Sequence, residues 1–434
     1  MRNLRRLLVL VLCWAGSRQG QAQFFPPAPA QDSAILLMNG EAHLGNGQVI
    51  ANSVIRLEGG KITLVADATT ARIVRNGARI INCYGKKIYP GLIAANSDLG
   101  LSEIELVRAT NDFSEVGDYN SDVRSIIAYN TDSRVIPTVR SNGVLLAQTC
   151  PQGGVISGSS SVVQLDAWNW EDAAYRADDG IHLNWPAWFN FNYDPETGIG
   201  ALQQNSHYAS QVDALRTFFL NARAYLAEPK HAQTNLKYQA MQPVLAGEAN
   251  LYIHADDLRQ ILAALEFIKT MQVKGVLVGA RDAWMCAKQL ATDQVPVILF
   301  RPQSLPAYDD AAYDQPYKTA ALLQQAGVLF CITDVSYWEQ RNLPFQAGET
   351  VAYGLGKEQA LSAITLNAAK ILGIAGRCGS LEVGKDATLV ISDGDLLDMK
   401  TSQVVMAFIQ GRTVNLDNEQ KQLFEIYKKK YGLR

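Results

Sequence analysis

Hydrophobic and polar positions follow two different periods along this chain. In residues 34–90 and again in 378–415, short runs of apolar and β-branched residues, such as KITLVAD and DATLVIS, are bounded by turn-forming residues. Between these segments, short apolar runs alternate with stretches in which apolar residues recur every three or four positions. The pattern predicts β-strands at both ends of the chain and alternating strands and helices between them.

The alternation is clearest in the second half of the chain. ANLYIHA, GVLVGA, VPVILF and VLFCITD predict strands, and RDAWMCAKQLA, residues 316–326 and KEQALSAITLNAAKILGI predict helices. The segment DDLRQILAALEFIKTMQ predicts a helix with one apolar face, formed by Leu258, Ile261, Leu262, Leu265 and Ile268. Together with the earlier runs GLIAAN, GVLLAQ and SSVVQL, the strands reach the number that closes a barrel.

The predicted fold is therefore of the α/β class. We expect a (β/α)8 TIM-like barrel over residues 91–377, inserted between two halves of a small β-sandwich formed by residues 34–90 and 378–434. A helix ends the second half. With 434 residues, of which 48% are hydrophobic, the chain is long enough for one large core and a smaller companion.

The first 22 residues predict a signal peptide. Three arginines precede the apolar run LLVLVLCWAG, and a small-x-small pair, Gly20 and Ala22, follows it. The run is too short to span a bilayer, and the segment 23–33 that follows predicts a linker. We therefore expect a secreted or periplasmic protein with no membrane span. Five cysteines lie beyond this segment, so at least one thiol is expected to be unpaired within the chain.

Charge excludes one class of partner. The 39 Lys and Arg residues nearly balance the 42 Asp and Glu residues, giving a net charge of -3, and the body of the chain has no strongly basic run. Nucleic acid is therefore not an expected partner. A small-molecule substrate is expected from a family resemblance and not from the charge. The sequence does not indicate an oligomeric state.

Polar residues follow the strand GLIAAN directly, at Asn96, Ser97 and Asp98. In barrel enzymes the chemistry lies where strands end in this way. We therefore regard this cluster as a candidate site.

Five segments carry a family resemblance that covers nearly the whole chain beyond the signal peptide: GKKIYPGLIAANSDLGL, YIHADDLRQI, FCITDVSYWEQRNLPFQAG, AITLNAAKILGI and GSLEVGKDATLVISDGD. They resemble the amidohydrolase superfamily and, within it, the secreted imidazolonepropionase-like branch. The resemblance implies a barrel between two halves of a sandwich. It also implies hydrolysis of a C–N bond by a metal-activated water, with an aspartate moving the proton.

The chain departs from the family pattern at the metal site. Asn96 and Asp98 stand where the family has a His-x-His pair, and the sixth-strand position, in GVLVGARDAW, has no histidine. His254 matches the fifth-strand histidine and Asp334 matches the eighth-strand aspartate. The resemblance therefore implies Asp334 as the catalytic base and His254 as a metal ligand or electrophile.

Two interpretations of this site remain open. In the first, Asp98, His254 and Asp334, helped by the amide oxygen of Asn96, hold one divalent ion: Mn²⁺, Mg²⁺ or Zn²⁺. In the second, no metal is bound, and Arg281 pairs with Asp98 or Asp334 in the space of the metal. The corresponding functions are a hydrolase acting on a cyclic amide or dipeptide-like substrate, and a catalytically inactive periplasmic binding protein with the same fold.

Residues 166–193 are rich in aromatic side chains and also leave two alternatives open. They form either an aromatic wall for a flat substrate or a packed hydrophobic cluster under a long loop. In the first case, the predicted substrate contacts are Trp168, Trp170 and Trp185, together with Arg281 from the barrel.

Overall fold

The structure is a computed structural model and describes residues 26–195 and 198–433. The predicted signal peptide at 1–22 lies outside the described residues. The strands are β1 Ile35–His43, β2 Val49–Glu58, β3 Lys61–Asp67, β4 Arg79–Asn82, β5 Lys86–Pro90, β6 Leu92–Ser97, β7 Val144–Thr149, β8 Ile156–Gln164, β9 Ala174–Asn184, β10 Phe189–Asp194, β11 Ile199–Gln204, β12 Asn250–Ala255, β13 Gly275–Gly279, β14 Val297–Leu299, β15 Phe330–Ile332, β16 Leu389–Asp393, β17 Gln403–Ile409 and β18 Arg412–Thr413.

The α-helices are α1 Ser125–Ala128, α2 Val135–Arg140, α3 Trp170–Ala173, α4 Tyr208–Ala227, α5 Leu236–Ala240, α6 Gln242–Leu245, α7 Leu258–Met271, α8 Ala287–Asp293, α9 Gln315–Gln325, α10 Leu343–Ala352, α11 Lys357–Ala363, α12 Leu366–Ile371 and α13 Glu419–Lys430. Short 3₁₀ helices lie at Arg108–Thr110, Ala283–Cys286 and Glu339–Asn342.

Strands from the two ends of the chain form one sheet of eight strands. Its order is β18-β17-β16-β5-β1-β2-β3, and β4 pairs with β1 beside this path. The two segments join where β16 runs antiparallel to β5, with Ile391 opposite Ile88. Both residues belong to a buried cluster with Leu37, Ile55 and Phe408. The treatment of this sheet as a separate sandwich domain, with boundaries at 91 and 377, stays a prediction.

The middle of the chain forms a second sheet of eight strands, ordered β15-β14-β13-β12-β9-β8-β7-β6. The hydroxyl of Thr333, directly after β15, donates a hydrogen bond to the carbonyl oxygen of Ala95 in β6. The two edge strands of the sheet therefore lie side by side. The fold is mixed α/β with a nearly closed eight-stranded barrel sheet, which agrees with the predicted class.

One strand departs from the regular alternation of strands and helices. β8 runs antiparallel to both of its neighbours, β7 and β9. Only residues 150–155 connect β7 to β8. A parallel crossover needs a dozen or more residues, so this short connection forces the chain to reverse direction. The carboxyl end of β8 consequently lies at the amino ends of the parallel strands.

Alternate residues on the barrel strands point to opposite sides. One row, which includes Ile93, Leu146, Tyr252, Val278 and Ile298, packs together inside the barrel with apolar residues from α12. The other row, from the same strands, packs in the larger cluster that includes the surrounding helices. The backbone N–H of Ile93 donates to the carbonyl oxygen of Ile364, and the side-chain amide of Asn250 donates to the carbonyl oxygen of Ile371. These bonds place α12 at the amino ends of the barrel strands. The opposite end of the barrel is therefore left for the site.

Two helix predictions need correction. The helix predicted over KEQALSAITLNAAKILGI is two helices, α11 and α12, separated at Thr365, whose backbone is not helical (φ −134°, ψ −92°). In α7, Leu262 is 46% exposed, whereas Ile261, Leu265 and Ile268 are buried. Residue 262 lies about 100° around the helix from residue 261, beyond the edge of the buried face.

All five cysteines of the described chain are buried and free of disulfides. Burial in apolar surroundings raises the pKa of each of these thiols. They are core residues rather than reactive thiols. Within residues 26–195 and 198–433, no helix is long and apolar enough to cross a membrane.

Candidate functional site at the carboxyl ends of the barrel strands

The contact between the first and last barrel strands brings two of the predicted residues to one place. The hydrogen bond from Thr333 to Ala95 joins β15 to β6. Asp334 directly follows Thr333, and Asn96 directly follows Ala95. The backbones of Asp334 and Asn96 are therefore neighbours at the carboxyl end of the barrel. The backbone of Asn96 is left-handed (φ 48°), a conformation that asparagine tolerates better than most residues.

Asp334 is a fully buried carboxyl group with few partners. Its Oδ1 accepts a hydrogen bond from the backbone N–H of Val335 at 2.9 Å, and its Oδ2 accepts one from Nε2 of Gln346 at 3.1 Å. Nη1 of Arg301 lies 3.9 Å from Oδ1. Burial raises the pKa of Asp334, and the Val335 N–H and Arg301 oppose that rise.

Asp98 is also buried, but it faces loop residues. No described group hydrogen-bonds its Oδ1 atom. Burial raises the pKa of Asp98 to about 6, although the backbone N–H groups of Asp98 itself and of Tyr337 partly stabilise the ionised form. The contact with Tyr337 connects the loop after β6 to the loop after β15.

His254 forms a pair with a histidine that the sequence interpretation had not selected. Nε2 of His254, on β12, lies 3.0 Å from Nδ1 of His182, on the neighbouring strand β9. His182 is fully buried, and its other ring nitrogen, Nε2, has no hydrogen-bond partner among the described residues. Desolvation lowers the pKa of His254 to about 4 and lowers the pKa of His182 well below its ordinary value. Both imidazoles are therefore neutral at physiological pH.

A buried polar network lies next to this pair inside the barrel. The ring of His182 stacks on Tyr252, with centroids 4.7 Å apart, and the Tyr252 hydroxyl donates to Oδ2 of Asp179 at 2.5 Å. Asp179 also accepts hydrogen bonds from Oγ of Ser160 and Nε2 of Gln148, both at 2.8 Å. Burial raises the pKa of Asp179, and these three donors limit that rise. Gln148 continues the network by accepting from the backbone N–H of Asn96 at 3.0 Å.

The remaining predicted residues are not gathered at this site. Arg281, after β13, donates to Oδ1 of Asp282 at 3.2 Å and to the Tyr308 hydroxyl at 2.8 Å. It does not take the place of a metal between Asp98 and Asp334, and the arginine near Asp334 is Arg301 instead.

The tryptophans divide into two groups. Trp168 and Trp170 follow the antiparallel strand β8, so they lie at the amino ends of the parallel strands, away from His254. Trp185 lies at the correct end but is buried, with its indole N–H donating to the Tyr208 hydroxyl at 3.2 Å and its ring edge-on to Phe267. In the structure Trp185 is a packed core residue. The direction of β8 was the information missing from the sequence interpretation.

Sequence reasoning did not select His182, Asp179, Arg301 or Gln346. Arg301 had a signal, because it follows a predicted barrel strand directly, in VPVILFR. His182 lies near the end of β9, in a segment where no strand was predicted. Asp179 and Gln346 gave no comparable signal, because their contacts depend on the irregular strand β9 and on the docking of α10.

A sequence model of the Amidohydrolase family matches residues 194–414, which is half of the chain. The chain belongs to the amidohydrolase family. An amidohydrolase from Thermotoga maritima MSB8 superposes with a TM-score of 0.75 at 24% identity, covering 88% of this chain and 99% of that one. A prolidase solved with N-methylphosphonate-L-proline superposes with a TM-score of 0.54 at 17% identity, covering 88% and 100%. These likenesses support the fold.

A curated relative adds a short match. The imidazolonepropionase of Syntrophobacter fumaroxidans is 45% identical over 65 residues, which span 15% of each chain. The match therefore leaves most of that relative's length uncovered, and it supports the resemblance on which the family prediction was based.

The donor set of this amidohydrolase does not fit the metal that the resemblance implies. Within the described residues, no three His, Cys, Asp or Glu side chains are grouped so that they could hold a metal ion. His254 contacts His182, Asp98 contacts Tyr337, and Asp334 contacts Gln346 and Arg301. The mononuclear set Asp98, His254, Asp334 and Asn96 is thus not assembled in this structure.

Proposed function

We propose that this amidohydrolase hydrolyses a C–N bond in a small cyclic amide or dipeptide-like substrate bound at the carboxyl ends of the barrel strands. The observation that carries the proposal is the environment of Asp334. A buried carboxyl group with a raised pKa, one nearby guanidinium and no tight ion pair has the properties of a general base.

The chemistry assigned to the site uses the chain's own groups. The carboxylate of Asp334 removes a proton from a water molecule, whose oxygen forms a bond to the amide carbon. Arg301 stabilises the negative charge that develops on the amide oxygen. The C–N bond then breaks, and the proton held by Asp334 passes to the departing nitrogen.

The neutral histidine pair supplies a hydrogen-bonding position rather than a charge. Because desolvation keeps the pKa of His254 at about 4, its imidazole offers a hydrogen bond to the substrate without protonation. We assign His254 to orienting the substrate and His182 to fixing the ring of His254.

A catalytically inactive binding protein is the second candidate. The observation that favours it is the ungrouped donor set of the described residues. This candidate uses the same barrel mouth to hold a small ligand without cleaving it.

The test is hydrolysis of dipeptides with a carboxyl-terminal proline and of five-membered cyclic amides, with Asp334→Asn and His254→Ala beside the parent protein. We expect turnover by the parent and loss of at least about a hundredfold in kcat/KM for Asp334→Asn. Turnover retained by both variants would exclude these roles. Ligand-induced quenching of tryptophan fluorescence without hydrolysis would favour the binding protein.

Metal content is measured on the same samples by elemental analysis after incubation with Zn²⁺, Mn²⁺ or Mg²⁺. Stoichiometric metal that is lost in His254→Ala would show that the donor groups rearrange around an ion, and proton removal from water by Asp334 without a metal would then be excluded. We also propose a secreted or periplasmic location, supported by the signal-peptide pattern of residues 1–22.

A further inference from the structure

Three buried side-chain oxygen atoms near Asp334 have no hydrogen-bond donor among the described residues. They are Oδ1 of Asn96, Oδ1 of Asp98 and Oε1 of Gln340. Gln340 is fully buried, and its Nε2 donates to the carbonyl oxygen of Asp334 at 2.9 Å. Because a carbonyl oxygen accepts only from the nitrogen of this amide, the unpartnered atom of Gln340 is an acceptor. A buried acceptor without a donor costs free energy, so a ligand that donates at this place is favoured.

The three oxygen atoms come from residues 96–98 and from the segment after β15, and these two parts of the chain contact each other. The hydrogen bond that joins β15 to β6 makes Asn96 a backbone neighbour of Asp334. Asp98 accepts from the backbone N–H of Tyr337, three residues before Gln340. The unpartnered acceptors therefore border the proposed general base.

The same region carries more negative than positive charge. Burial raises the pKa of Asp98 to about 6, with smaller contributions from the negative charges of Glu339 and Glu105. Burial is also the main cause of the raised pKa of Asp334, and Glu339 adds to it. Arg301 lies 3.9 Å from Asp334, but the ion pairs of the described residues include no partner for Asp98, Glu105 or Glu339. A ligand bound here is therefore expected to be positively charged.

We propose that the three acceptors bind a primary ammonium group of the substrate, so that the substrate is an amide of an α-amino acid with a free amino group. This inference rests on the proposed hydrolysis and narrows its substrate class. An ammonium group has three N–H donors, one for each unpartnered oxygen atom, and its charge offsets the excess of carboxylates.

The covalent structure of such a substrate agrees with the position of the acceptors. The ammonium nitrogen is only two bonds from the carbonyl carbon that the water attacks, so it must lie beside Asp334 when that carbon is in place. A divalent ion fits this place less well, because no three His, Cys, Asp or Glu side chains of the described chain are grouped to hold one.

The first test measures binding without turnover, by titration calorimetry at about pH 7.5, where Asp98 is ionised. The ligands are an alanyl-proline isostere in which carbon replaces the amide nitrogen, and the same isostere without its amino group. We expect the amine to bind at least about tenfold more tightly. This ratio falls toward one in Asp98→Asn and in Glu339→Gln, and Gln340→Met, which removes an acceptor without changing a charge, also lowers it. The matched control is Glu266→Gln, at an exposed position on α7, which keeps the ratio of the parent.

The second test compares kcat/KM for alanyl-proline and lactoyl-proline. A neutral hydroxyl replaces the ammonium group in lactoyl-proline, and the two molecules have nearly the same size. We expect a kcat/KM at least about tenfold lower for lactoyl-proline, with most of this difference lost in Asp98→Asn. Because both substrates are measured on one protein, a partial loss of folded enzyme does not change the ratio.

The outcomes separate this inference from the proposed hydrolysis. Tighter binding of the amine without any turnover would support the ammonium position and contradict the hydrolysis. Turnover of both substrates with equal kcat/KM would support the hydrolysis and overturn the ammonium position. Equal affinity for the two isosteres would also overturn it and would identify water as the partner of the acceptors. A preference for the amine that disappears when divalent ions are removed by chelation would place an ion at Asp98 instead.

Discussion

Nδ1 of His182 lies 3.0 Å from Nε2 of His254, so two histidines on neighbouring barrel strands share one hydrogen bond. Neither ring has a carboxylate partner among the described residues, and both pKa values are lowered by desolvation. The pair is therefore a neutral hydrogen-bonded unit, unlike a protonated histidine held by an acid.

Because of this histidine pair, we expect the folding stability to fall at acid pH. Because the folded-state pKa of His254 is about 4, below its ordinary value of 6.5, the unfolded chain binds the proton first as pH falls. The stabilising contribution is complete above pH 6.5 and is lost toward pH 4. We expect His254→Gln to remove up to about 3 kcal/mol of this acid dependence, measured by urea unfolding between these pH values. An unchanged difference between variant and parent across that range would contradict the assignment.

We expect Asp98 to give the opposite dependence of stability on pH. Its folded-state pKa of about 6 lies above the ordinary 3.8, so ionisation between these pH values costs folding free energy. Asp98→Asn is expected to gain stability relative to the parent as pH rises from about 4 to about 6, by up to about 3 kcal/mol. Equilibrium unfolding at both ends of this window measures the gain. The matched control is Asp310→Asn at an exposed position, and an equal gain there would refute burial as the cause.

We expect that removal of the Tyr252 hydroxyl lowers the free energy of unfolding. Its hydroxyl donates to Asp179 at 2.5 Å and accepts from Nδ2 of Asn250 at 3.0 Å. Tyr252→Phe removes both bonds and leaves the buried Asp179 carboxyl group with two side-chain donors instead of three, so we expect a loss of about 1 to 3 kcal/mol in the free energy of unfolding. Tyr84→Phe, at an exposed tyrosine, is the control and should change little. Equal effects in the two variants would exclude a special role for the network.

If the proposed hydrolysis is found, we expect substitution of Arg301 to shift its pH–rate profile. Its cation lowers the pKa of Asp334, so Arg301→Gln should move the acidic limb of kcat/KM to higher pH. Arg281→Gln is the matched control, because Arg281 contacts Asp282 and Tyr308 instead of Asp334. A change in KM with an unmoved limb in Arg281→Gln would support the predicted substrate contact. An equal movement of the limb in both variants would contradict the role of Arg301.

Much of the fold could be predicted because period and length are local properties. The helix predicted after ANLYIHA is α7, and the β-rich segments at both ends of the chain do form strands. The direction of β8 could not be read from periodicity, because an antiparallel and a parallel buried strand have the same apolar pattern. That one reversal places Trp168 and Trp170 at the far end of the barrel.

The candidate site was predictable only in part. Position after a strand singled out Asn96 and Asp98, and the family resemblance selected Asp334 and His254 and gave each a role. The partners of these residues come from other strands and helices, and no spacing in the sequence encodes the distance between His182 and His254 or the approach of Arg301 to Asp334.

The sequence by itself therefore determined many of the strands and helices, the amidohydrolase resemblance and the absence of the His-x-His pair. These depend on residue type and order alone. The tertiary structure decided which polar groups meet, because side chains far apart in sequence become neighbours only when the strands are ordered around the barrel. It also decided their protonation, because burial, rather than residue type, lowers the pKa of His254 and raises that of Asp334.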